Sequence, residues 1–397
     1  MRWMHISDIH YNPAGDGRSS SQLREKLPDY LKDLEIQVDE VFVTGDFRFA
    51  KEQGDTDEVA KAAVAFVREL AKSVGVRDSK NIHVVPGNHD ITRLVLEEDK
   101  GKLSDIRKGY SFESGNFPHE ERDYLLKRFS FFRRICTELY SAGDSAWSKN
   151  PNSIHTYHYC EKNNIFILYL NTVISYNADE DHGHLLMGNN DLYEVLKEIR
   201  AKDKEGLIIA LAHHGMEYLA KRERQIVENL FKDYSVNFYL CGDNHDVWHR
   251  RINETMEITM GCIKQDKSVQ AAFSIGKMGE DGFIEINAHH WDSQAGDWGL
   301  YTQFNNSIKK SLPQRYVQSG GKHIVTKIFG RETEIDNVYK ALCFGRAVEV
   351  FGPAGIGKST ICRAVMAKLD SAMVRGGRLI TTRYFNPCFN QDNRSIW

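Results

Sequence analysis

Five short polar clusters constrain the fold of this chain more than any other feature, because each follows a run of apolar, β-prone residues. In chain order the clusters are Asp8-Ile9-His10, Gly45-Asp46, Gly87-Asn88-His89-Asp90, His213-His214 and Asp243-Asn244-His245. The apolar runs before them are Arg2–Ser7, Val41–Val43, Ile82–Val85, Leu207–Ala212 and Asn237–Cys241. Strand ends are rigid, so side chains carried on five of them can converge although they are far apart in sequence. The pattern predicts one site, rich in Asp, Asn and His, at the ends of the strands.

The composition is that of a globular protein with room for two domains, since 41% of the 397 residues are hydrophobic and 27% are charged. The net charge of −3 gives no global field that would favour nucleic acid or anionic membranes. The charge is uneven, because residues 320–397 hold 12 Lys+Arg against 6 Asp+Glu, whereas the first 319 residues hold 40 against 49. The two parts are therefore expected to do different jobs.

The cysteines and the N-terminus favour a cytoplasmic protein. Seven cysteines are scattered without a CxxC pair, which is typical of reduced thiols. The chain starts directly with a strand that carries His5, Asp8 and His10, so a signal peptide is not expected. The longest apolar stretch, Ile165–Leu170, is too short to span a bilayer, and no membrane partner is expected.

Strands that end in polar loops alternate with helical patterns over the first 90 residues, which predicts an α/β fold. Helices are expected at Gln22–Leu34, started or kinked by Pro28, and at Asp57–Val74. Residues 91–150 interrupt this alternation with aromatic residues and a predicted helix at Glu120–Tyr140. This insertion is either a cap over the mouth of the site or a helical decoration on one edge. Its aromatic side chains either pack in the core or stack on bases.

The strand pattern resumes after residue 150 and continues to about residue 290. Strands are predicted at His155–Cys160, Ile165–Leu170, Leu207–Ala212 and Val236–Cys241, and helices at Asp191–Lys202 and Tyr218–Phe231. Three further β-like stretches, Glu257–Met260, Val269–Ile275 and Gly282–Ala288, are expected to be antiparallel strands that complete a second sheet.

The mixture of carboxylate, amide and imidazole groups in the clusters indicates metal binding. Two divalent metal ions about 3.5–4 Å apart can clamp the attacking and leaving oxygens of a phosphoryl displacement. Such a pair needs a bridging carboxylate, further oxygen and nitrogen ligands, and open positions for water and substrate. Asp, Asn and His suit Mn²⁺, Fe and Zn²⁺ in this role.

In the order of these motifs, residues 1 to about 290 resemble the calcineurin-like metallophosphoesterases. The matching blocks are His5-Ile6-Ser7-Asp8-Ile9-His10, Thr44-Gly45-Asp46, Pro86-Gly87-Asn88-His89-Asp90 and Ala212-His213-His214-Gly215. The resemblance implies a four-layer α-β-β-α sandwich with two metal ions. It implies that Asp8, His10 and His245 bind the first metal. Asn88 and His213 would bind the second metal, and Asp46 would bridge the two.

The same resemblance implies catalytic roles. A metal-bound hydroxide would be the nucleophile. His89 would lie near the leaving oxygen as an acid or a transition-state stabiliser, and Asp90 would orient the His89 ring.

One cluster departs from the family's Gly-His-x-His pattern, because it reads Gly242-Asp243-Asn244-His245. Asp243 stands where a histidine ligand of the second metal is expected. If Asp243 ligates, the site is richer in oxygen and favours Mn²⁺ or Mg²⁺ over Zn²⁺, with Fe and Ni²⁺ as further candidates. If the shorter side chain does not reach, the second site is weak or empty.

A phosphate-binding loop, G-x-x-x-x-G-K-[ST], is predicted at residues 352–360, between a strand at Val348–Phe351 and a helix. The residues expected to bind ATP with Mg²⁺ are Gly352, Gly355, Gly357, Lys358, Ser359 and Thr360. Upstream, Phe329-Gly330-Arg331-Glu332-Thr333-Glu334 resembles the entry of the STAND class of signal-transducing NTPases, relatives of AAA+ proteins. Only 37 residues follow Thr360 and no Walker B run occurs among them, so we expect an incomplete NTPase domain.

These motifs predict a metallophosphoesterase domain at 1–300, a linker at 301–325 and the first part of a P-loop α/β domain at 326–397. By analogy with proteins of this architecture, we expect a phosphodiesterase or nuclease effector, controlled by an oligomerising NTPase and acting in antiphage defence. The alternative is a degenerate enzyme, impaired at Asp243, that binds a phosphorylated ligand without turnover. The acidic surplus before residue 320 argues mildly against long duplex DNA as substrate.

Overall fold

The computed structural model describes residues 1–12, 18–49, 56–141, 144–203, 206–264, 271–279, 283–302, 309–311 and 332–343, together with residues 361 and 365. The chain divides into two compact units, Met1–Lys310 and Ser311–Trp397. The division falls within the range predicted as a linker, 301–325.

The secondary structure alternates strands and helices through most of the first unit. The described strands are β1 (Arg2–Ile6), β2 (Glu40–Val43), β3 (Ile82–Val84), β4 (Thr156–Cys160), β5 (Ile165–Tyr169), β6 (Leu207–Leu211), β7 (Phe238–Cys241), β8 (Trp248–Ile252), β9 (Thr255–Thr259), β10 (Ala272–Met278), β11 (Phe283–Asp292), β12 (Asp297–Leu300) and β13 (Lys309–Ser311). The described helices are α1 (Arg18–Asp33), α2 (Thr56–Ser73), α3 (Glu97–Gly109), α4 (His119–Leu126), α5 (Ser130–Leu139), α6 (Ala146–Lys149), α7 (Asn189–Lys202), α8 (Lys221–Asp233) and α9 (Glu332–Cys343).

The first sheet has the strand order β12-β11-β10-β1-β2-β3, with β13 beside β11. β1, β2 and β3 are parallel, and α1 and α2 connect them. Successive side chains of a strand point to opposite faces. Met4 and Ile6 of β1 therefore share a core with Leu23 and Leu27 of α1, whereas Trp3 points to the other face.

The expectation that the last β-like stretches complete a second sheet is wrong for two of the three. β10 is antiparallel to β1, with His5 opposite Ser274, and β11 is antiparallel to β10, so both extend the first sheet. β9 does join the second sheet, but parallel to β7. Alternation of apolar residues records which face of a strand is buried and carries no information about its pairing partner.

The second sheet has the order β4-β5-β6-β7-β9-β8. Its four inner strands are parallel, and the two outer strands, β4 and β8, are antiparallel to their neighbours. Helices α7 and α8 cover its outer face. Phe231 of α8, for example, lies 5.7 Å from the Tyr239 ring of β7, centroid to centroid.

The inner faces of the two sheets contact each other. The ring of Trp3 in β1 lies 6.2 Å from Phe42 in β2 and 6.3 Å from Phe238 in β7. Nδ1 of His83 in β3 lies 2.6 Å from the Tyr169 hydroxyl in β5. The protein thus has the expected mixed α/β fold with two sheets, and its helices lie on the outer faces.

Residues 91–150 pack along the free edge of β3. The Tyr140 hydroxyl donates to the carbonyl of Ile82 (2.6 Å), and Nε1 of Trp147 donates to the carbonyl of Val84 (2.9 Å). These bonds occupy edge carbonyls that would otherwise be open to another strand. The segment's aromatic residues pack in or against the core rather than project for stacking. Five are buried, Tyr110, Phe117, Phe129, Phe131 and Phe132, and the others, Phe112, Tyr124, Tyr140 and Trp147, are half-buried against the core.

The helix predicted at Glu120–Tyr140 is two helices. α4 ends at Leu126, a 3₁₀ turn covers Lys127–Phe129, and α5 begins at Ser130. Buried Arg128 lies in this turn and donates to the carbonyls of Thr92 and Tyr176. The break places the Arg128 guanidinium where it binds two loops. This tertiary contact is not visible in the hydrophobic periodicity of the sequence.

The second unit is described only in part. Ile335, Val338 and Tyr339 of α9 pack against Ile361 and Val365. The predicted phosphate-loop residues lie outside the described residues. Among the helices that are described, none combines the length and the apolar character needed to cross a bilayer.

Candidate metal centre

The five polar clusters begin two or three residues after the ends of β1, β2, β3, β6 and β7. Nine non-glycine residues in the described part of the chain have a positive φ. Five of them are predicted ligands: Asp8 (53°), His10 (46°), Asp46 (55°), Asp243 (64°) and His245 (53°). Such backbone is unfavourable for most L-residues, and Asp and His tolerate it better. The concentration of positive-φ residues in these clusters is typical of a functional site held in place by the surrounding fold.

Glycines allow the loops to approach each other. A Cβ on Gly45 would lie 2.7 Å from Cα of Gly87 and 2.8 Å from Nδ1 of His213, and Gly45 itself has φ +96°. A Cβ on Gly87 would overlap the Asp46 carboxylate. Glycine at both positions brings the ends of β2, β3 and β6 into contact.

Asp8, His10 and His245 form one group of potential ligands, with their donor atoms all within 4.8 Å of one another. Nε2 of His245 lies 3.2 Å from Oδ1 of Asp8 and 3.0 Å from Nε2 of His10. Asp8 and His10 are buried, whereas the His245 side chain is 30% exposed. The group therefore opens to solvent beside His245.

Asp46, Asn88, His213 and Asp243 form the second group. Nε2 of His213 lies 3.4 Å from Oδ1 of Asp46 and 3.3 Å from Oδ1 of Asp243. Nδ2 of Asn88 donates to the same oxygen of Asp243 at 3.2 Å. The side chain of Asp243, despite its shortness, thus reaches both His213 and Asn88.

The donor set fits divalent metal ions. Nε2 of His214 is buried and has no hydrogen-bond partner, and Nε2 of His213 meets two carboxylates without hydrogen-bond geometry. Buried polar atoms are nearly always hydrogen-bonded, so unpartnered ones signal a missing ligand. Imidazole nitrogens beside carboxylate and amide oxygens suit Mn²⁺, Fe and Zn²⁺.

The tautomer of His213 is set by a residue that the sequence analysis did not single out as a site residue. Nδ1 of His213 lies 2.7 Å from the carbonyl of Thr44, which can only accept, so Nδ1 donates and Nε2 faces the carboxylates. The Thr44 hydroxyl also lies 2.9 Å from Nε2 of His5. The only available signal was the place of Thr44 immediately before Gly45-Asp46.

Three carboxylates lie at the centre, those of the buried Asp8 and Asp46 and that of the partly buried Asp243. Burial, together with the charges of Asp8 and Asp90, raises the pKa of Asp46 well above its ordinary value. Burial also opposes ionisation of Asp8, but the hydrogen bond and charge of His245 outweigh it and hold the Asp8 pKa far below normal. Ionised Asp8 and Asp243 beside Asp46 give the centre a high demand for positive charge, which divalent ions meet.

His89 and Asp90 have different surroundings. Nε2 of His89 lies 3.7 Å from Oδ2 of Asp46, and burial, helped by the nearby His10 and Arg93, lowers the pKa of His89 to about 2. The Asp90 carboxylate accepts from the backbone N–H groups of Asp46, Phe47 and Gly87, each at 2.9 Å. Asp90 therefore ties the β2 and β3 loops together. Its predicted orientation of the His89 ring stays a prediction.

The fold brings together all nine residues predicted for this centre: Asp8, His10, Asp46, Asn88, His89, Asp90, His213, Asp243 and His245. It adds His214, whose buried Nε2 lies 3.8 Å from Oδ1 of Asp243. The adjacent pair His213-His214 was the signal in the sequence, and only the turn after β6 reveals that both rings lie in the centre. His182 and His184, in contrast, are exposed loop residues.

The sequence model of the calcineurin-like phosphoesterase family matches residues 1–247. The chain belongs to this family. The metallophosphoesterase-like protein YydB of Bacillus subtilis (strain 168) is 26% identical over 328 residues, which cover 78% of this chain and 63% of YydB. The chain therefore spans less than two thirds of the length of that relative.

Solved structures with partial similarity include two bacterial proteins. TT1561 of Thermus thermophilus is 12% identical, with a TM-score of 0.36 over 75% of this chain and 97% of its own. A putative 5′-nucleotidase from Staphylococcus aureus, in complex with alpha-ketoglutarate, is 15% identical, with a TM-score of 0.38 over 75% of this chain and 52% of its own. Membership of the phosphoesterase family thus rests on the sequence match, and it supports a metal-dependent hydrolase of phosphoric esters.

Proposed function

We propose that this phosphoesterase hydrolyses a phosphodiester with two divalent metal ions. The position of Asp46 carries the proposal. Oδ2 of Asp46 lies 3.8 Å from Nε2 of His10 in the first group, and Oδ1 lies 3.4 Å from Nε2 of His213 in the second. One carboxylate that offers an oxygen to each group would serve as the bridging ligand that a two-metal centre requires.

The two groups would each hold one ion: Asp8, His10 and His245 the first, and Asn88, His213 and Asp243 the second. Such ions supply Lewis-acid stabilisation of the phosphoryl oxygens and activate water near neutral pH. Among the candidates, Mn²⁺ matches a second group that has more oxygen than nitrogen donors, with Mg²⁺, Fe, Zn²⁺ and Ni²⁺ as alternatives.

His89 would act as a hydrogen-bond donor to the phosphoryl group. Its side chain is 19% exposed, so a substrate can reach it from solvent. Because its pKa is lowered to about 2, the ring is neutral at physiological pH and carries one N–H. This favours stabilisation of charge on the leaving oxygen over donation of a proton from an imidazolium.

A diester is supported by the ring of Phe49 beside the centre. Its centroid lies 6.0 Å from the His10 ring and 6.1 Å from the His89 ring, and Nζ of Lys264 lies 4.4 Å from it. An aromatic face next to a cation suits the second ester substituent of a nucleotide or nucleic acid, where bases stack and phosphates pair with Lys.

The test is a substrate and metal panel on the full chain. Bis-p-nitrophenyl phosphate, p-nitrophenyl phosphate, cyclic nucleotides, and single- and double-stranded nucleic acids are each incubated with Mn²⁺, Mg²⁺, Zn²⁺ or Ni²⁺. We expect diester turnover that Asp46→Ala abolishes and that Asp29→Ala, an exposed aspartate on α1, leaves unchanged. Faster hydrolysis of the monoester, or turnover by the Asp46 variant, would contradict the proposal.

A second candidate, a phosphate-ligand module without turnover, is favoured by one contact. Nδ2 of Asn88 donates to Asp243, so metal binding at the second group must break this bond and turn the amide oxygen inward. One ion or none per chain, with phosphate binding but no turnover, would favour the module.

We also propose control by a STAND-type NTPase region and a role in antiphage defence. The phosphate-loop motif at 352–360 is the only support for both. Lys358→Ala in the full chain should then remove ATP binding and any ATP dependence of diester turnover. Equal turnover with and without ATP in both proteins would leave regulation without support.

A further inference from the structure

We propose that His214 is a protein ligand of the second metal ion, so that this ion is held by two imidazoles together with Asp46, Asn88 and Asp243. The inference rests on the proposed two-metal function and deepens it. It concerns a residue that immediately follows the predicted ligand His213.

The first observation is an unpartnered nitrogen. His214 is fully buried, and its Nε2 has no hydrogen-bond partner. The donor atoms of His213, His214 and Asp243 all lie within 4.8 Å of one another, and Nε2 of His214 lies 3.8 Å from Oδ1 of Asp243. A buried unpaired polar atom destabilises the folded state, so a ligand at this point accounts for it.

The second observation is the fixed orientation of the ring. It stacks on Tyr218, with centroids 4.8 Å apart and planes at 29°, and it lies 5.4 Å from the Tyr176 ring. Nδ1 lies 3.2 Å from the Thr172 hydroxyl oxygen, which also accepts from the His214 backbone N–H at 3.1 Å. That oxygen has two lone pairs and can accept both hydrogens, which leaves Nε2 with a free lone pair.

The third observation is the turn after β6. Consecutive side chains on a strand point to opposite faces, so two adjacent histidines in a strand could not share one ion. His213 and His214 follow the strand instead, and their ring centroids are 5.0 Å apart with planes at 61°. Both nitrogens therefore face Asp243.

The donor set has a consequence for metal choice. Without His214 the second ion would have one nitrogen and three oxygen donors, a set that tolerates Mg²⁺. With His214 it has two nitrogens, which favours Mn²⁺, Fe or Zn²⁺ over Mg²⁺. The imidazole missing at Asp243 is thereby supplied from a different strand end.

The decisive variant is His214→Phe, because phenylalanine keeps an aromatic ring between Tyr176 and Tyr218 but removes the nitrogen. Full-length wild type and variant are stripped of metal and titrated with Mn²⁺. Bound ions are counted by inductively coupled plasma mass spectrometry and by electron paramagnetic resonance. We expect two ions in the wild type. In the variant, affinity for the second ion should fall by more than the roughly 10–100-fold typical of a change outside the ligand shell.

Two further variants separate ligation from packing. His182→Ala removes an exposed histidine whose ring also contacts Tyr218, at 4.2 Å, and should keep both ions. The double variant H214F/D243H returns an imidazole to the second group and should restore the second ion. If His214 only fills space between the tyrosines, D243H will not rescue binding. Should H214F fail to fold, H214A takes its place in the same pair of tests.

The outcomes also separate this inference from the proposed function. Two tightly bound ions in H214F, with wild-type affinity, would overturn the role of His214 while leaving the phosphodiesterase proposal intact. Absence of metal-dependent turnover in the wild type would overturn the function even if H214F loses an ion.

Discussion

Replacement of Gly45 by alanine should damage both the fold and the centre, because Gly45 combines a left-handed backbone with a crowded position. Its φ of +96° costs an L-residue about 1–2 kcal/mol. The added Cβ would lie 2.7 Å from Cα and N of Gly87, so the β2 and β3 loops must separate by about 0.7 Å to reach an ordinary 3.4 Å contact. Overpacking of this kind costs about 1–3 kcal/mol more.

The same Cβ would lie 2.8 Å from Nδ1 of His213, so the ring must leave its 2.7 Å bond to the Thr44 carbonyl. Misplacement of a catalytic group by about 1 Å can cost about 10²-fold in rate. We therefore expect Gly45→Ala to lose about 2–5 kcal/mol of unfolding free energy in urea denaturation and to lose diester turnover approaching about 10²-fold.

Substitutions at two other glycines serve as controls that separate the cost of the backbone conformation from the cost of crowding. Gly296→Ala has φ +63° but only one atom within 4 Å of the new Cβ, Nε2 of Gln22 at 3.8 Å, so it should lose only the backbone term of about 1–2 kcal/mol. Gly101→Ala in α3 meets no atom within 4 Å and should gain about 0.5–1 kcal/mol. If Gly45→Ala costs no more than Gly296→Ala and keeps its turnover, the reasoning from crowding is refuted.

Three further predictions concern the carboxylates and a buried histidine. Asp90→Asn places an amide N–H opposite backbone N–H groups and should lower the unfolding free energy in urea by about 1.5–3 kcal/mol. An unchanged midpoint of urea denaturation would argue against the role of Asp90 in holding the β2 and β3 loops together. Burial lowers the pKa of His155 from 6.5 to about 4. Between these two pH values the unfolded chain binds a proton at His155 that the folded chain does not bind. Stability should therefore fall by up to about 3 kcal/mol as pH drops from 6.5 to 4. His155→Gln should flatten this slope in pH-dependent denaturation, and the same change at the exposed His119 should not. Removal of metal by EDTA should lower the calorimetric melting temperature. The loss should be about 2.7 kcal/mol for free metal at about 100 times its Kd, and an unchanged melting curve would show that the buried carboxylates do not hold the ion in solution.

Local patterns in the sequence were sufficient to predict most strands of the fold. β1, β2, β3, β5 and β6 begin and end within one residue of the predicted apolar runs. These runs are short, buried and followed by polar residues, so both the type and the end of each element are encoded locally. The family resemblance also followed from the order of the motifs, and the family match at residues 1–247 confirms it.

Features that depend on partners distant in sequence could not be predicted. The pattern of β10 is equally compatible with either sheet, and only the free edge of β1 decides where it pairs. Asp90 reads as part of a motif, but its three bonds go to backbone groups, which are the same for any residue type. The ring of His214 joins the centre because of the turn geometry after β6, which the residue letters alone do not specify.

The separation of the strands in sequence has a consequence for how the protein matures. Nε2 of His10 and Nε2 of His245 lie 3.0 Å apart although 235 residues separate them in the chain. β1 also lies between β2 and β10, so the first sheet is complete only after residues beyond 270 have been synthesised. Contacts of such long range form late and slowly in folding. During synthesis, the first group of potential ligands therefore cannot assemble until residues past 245 have left the ribosome.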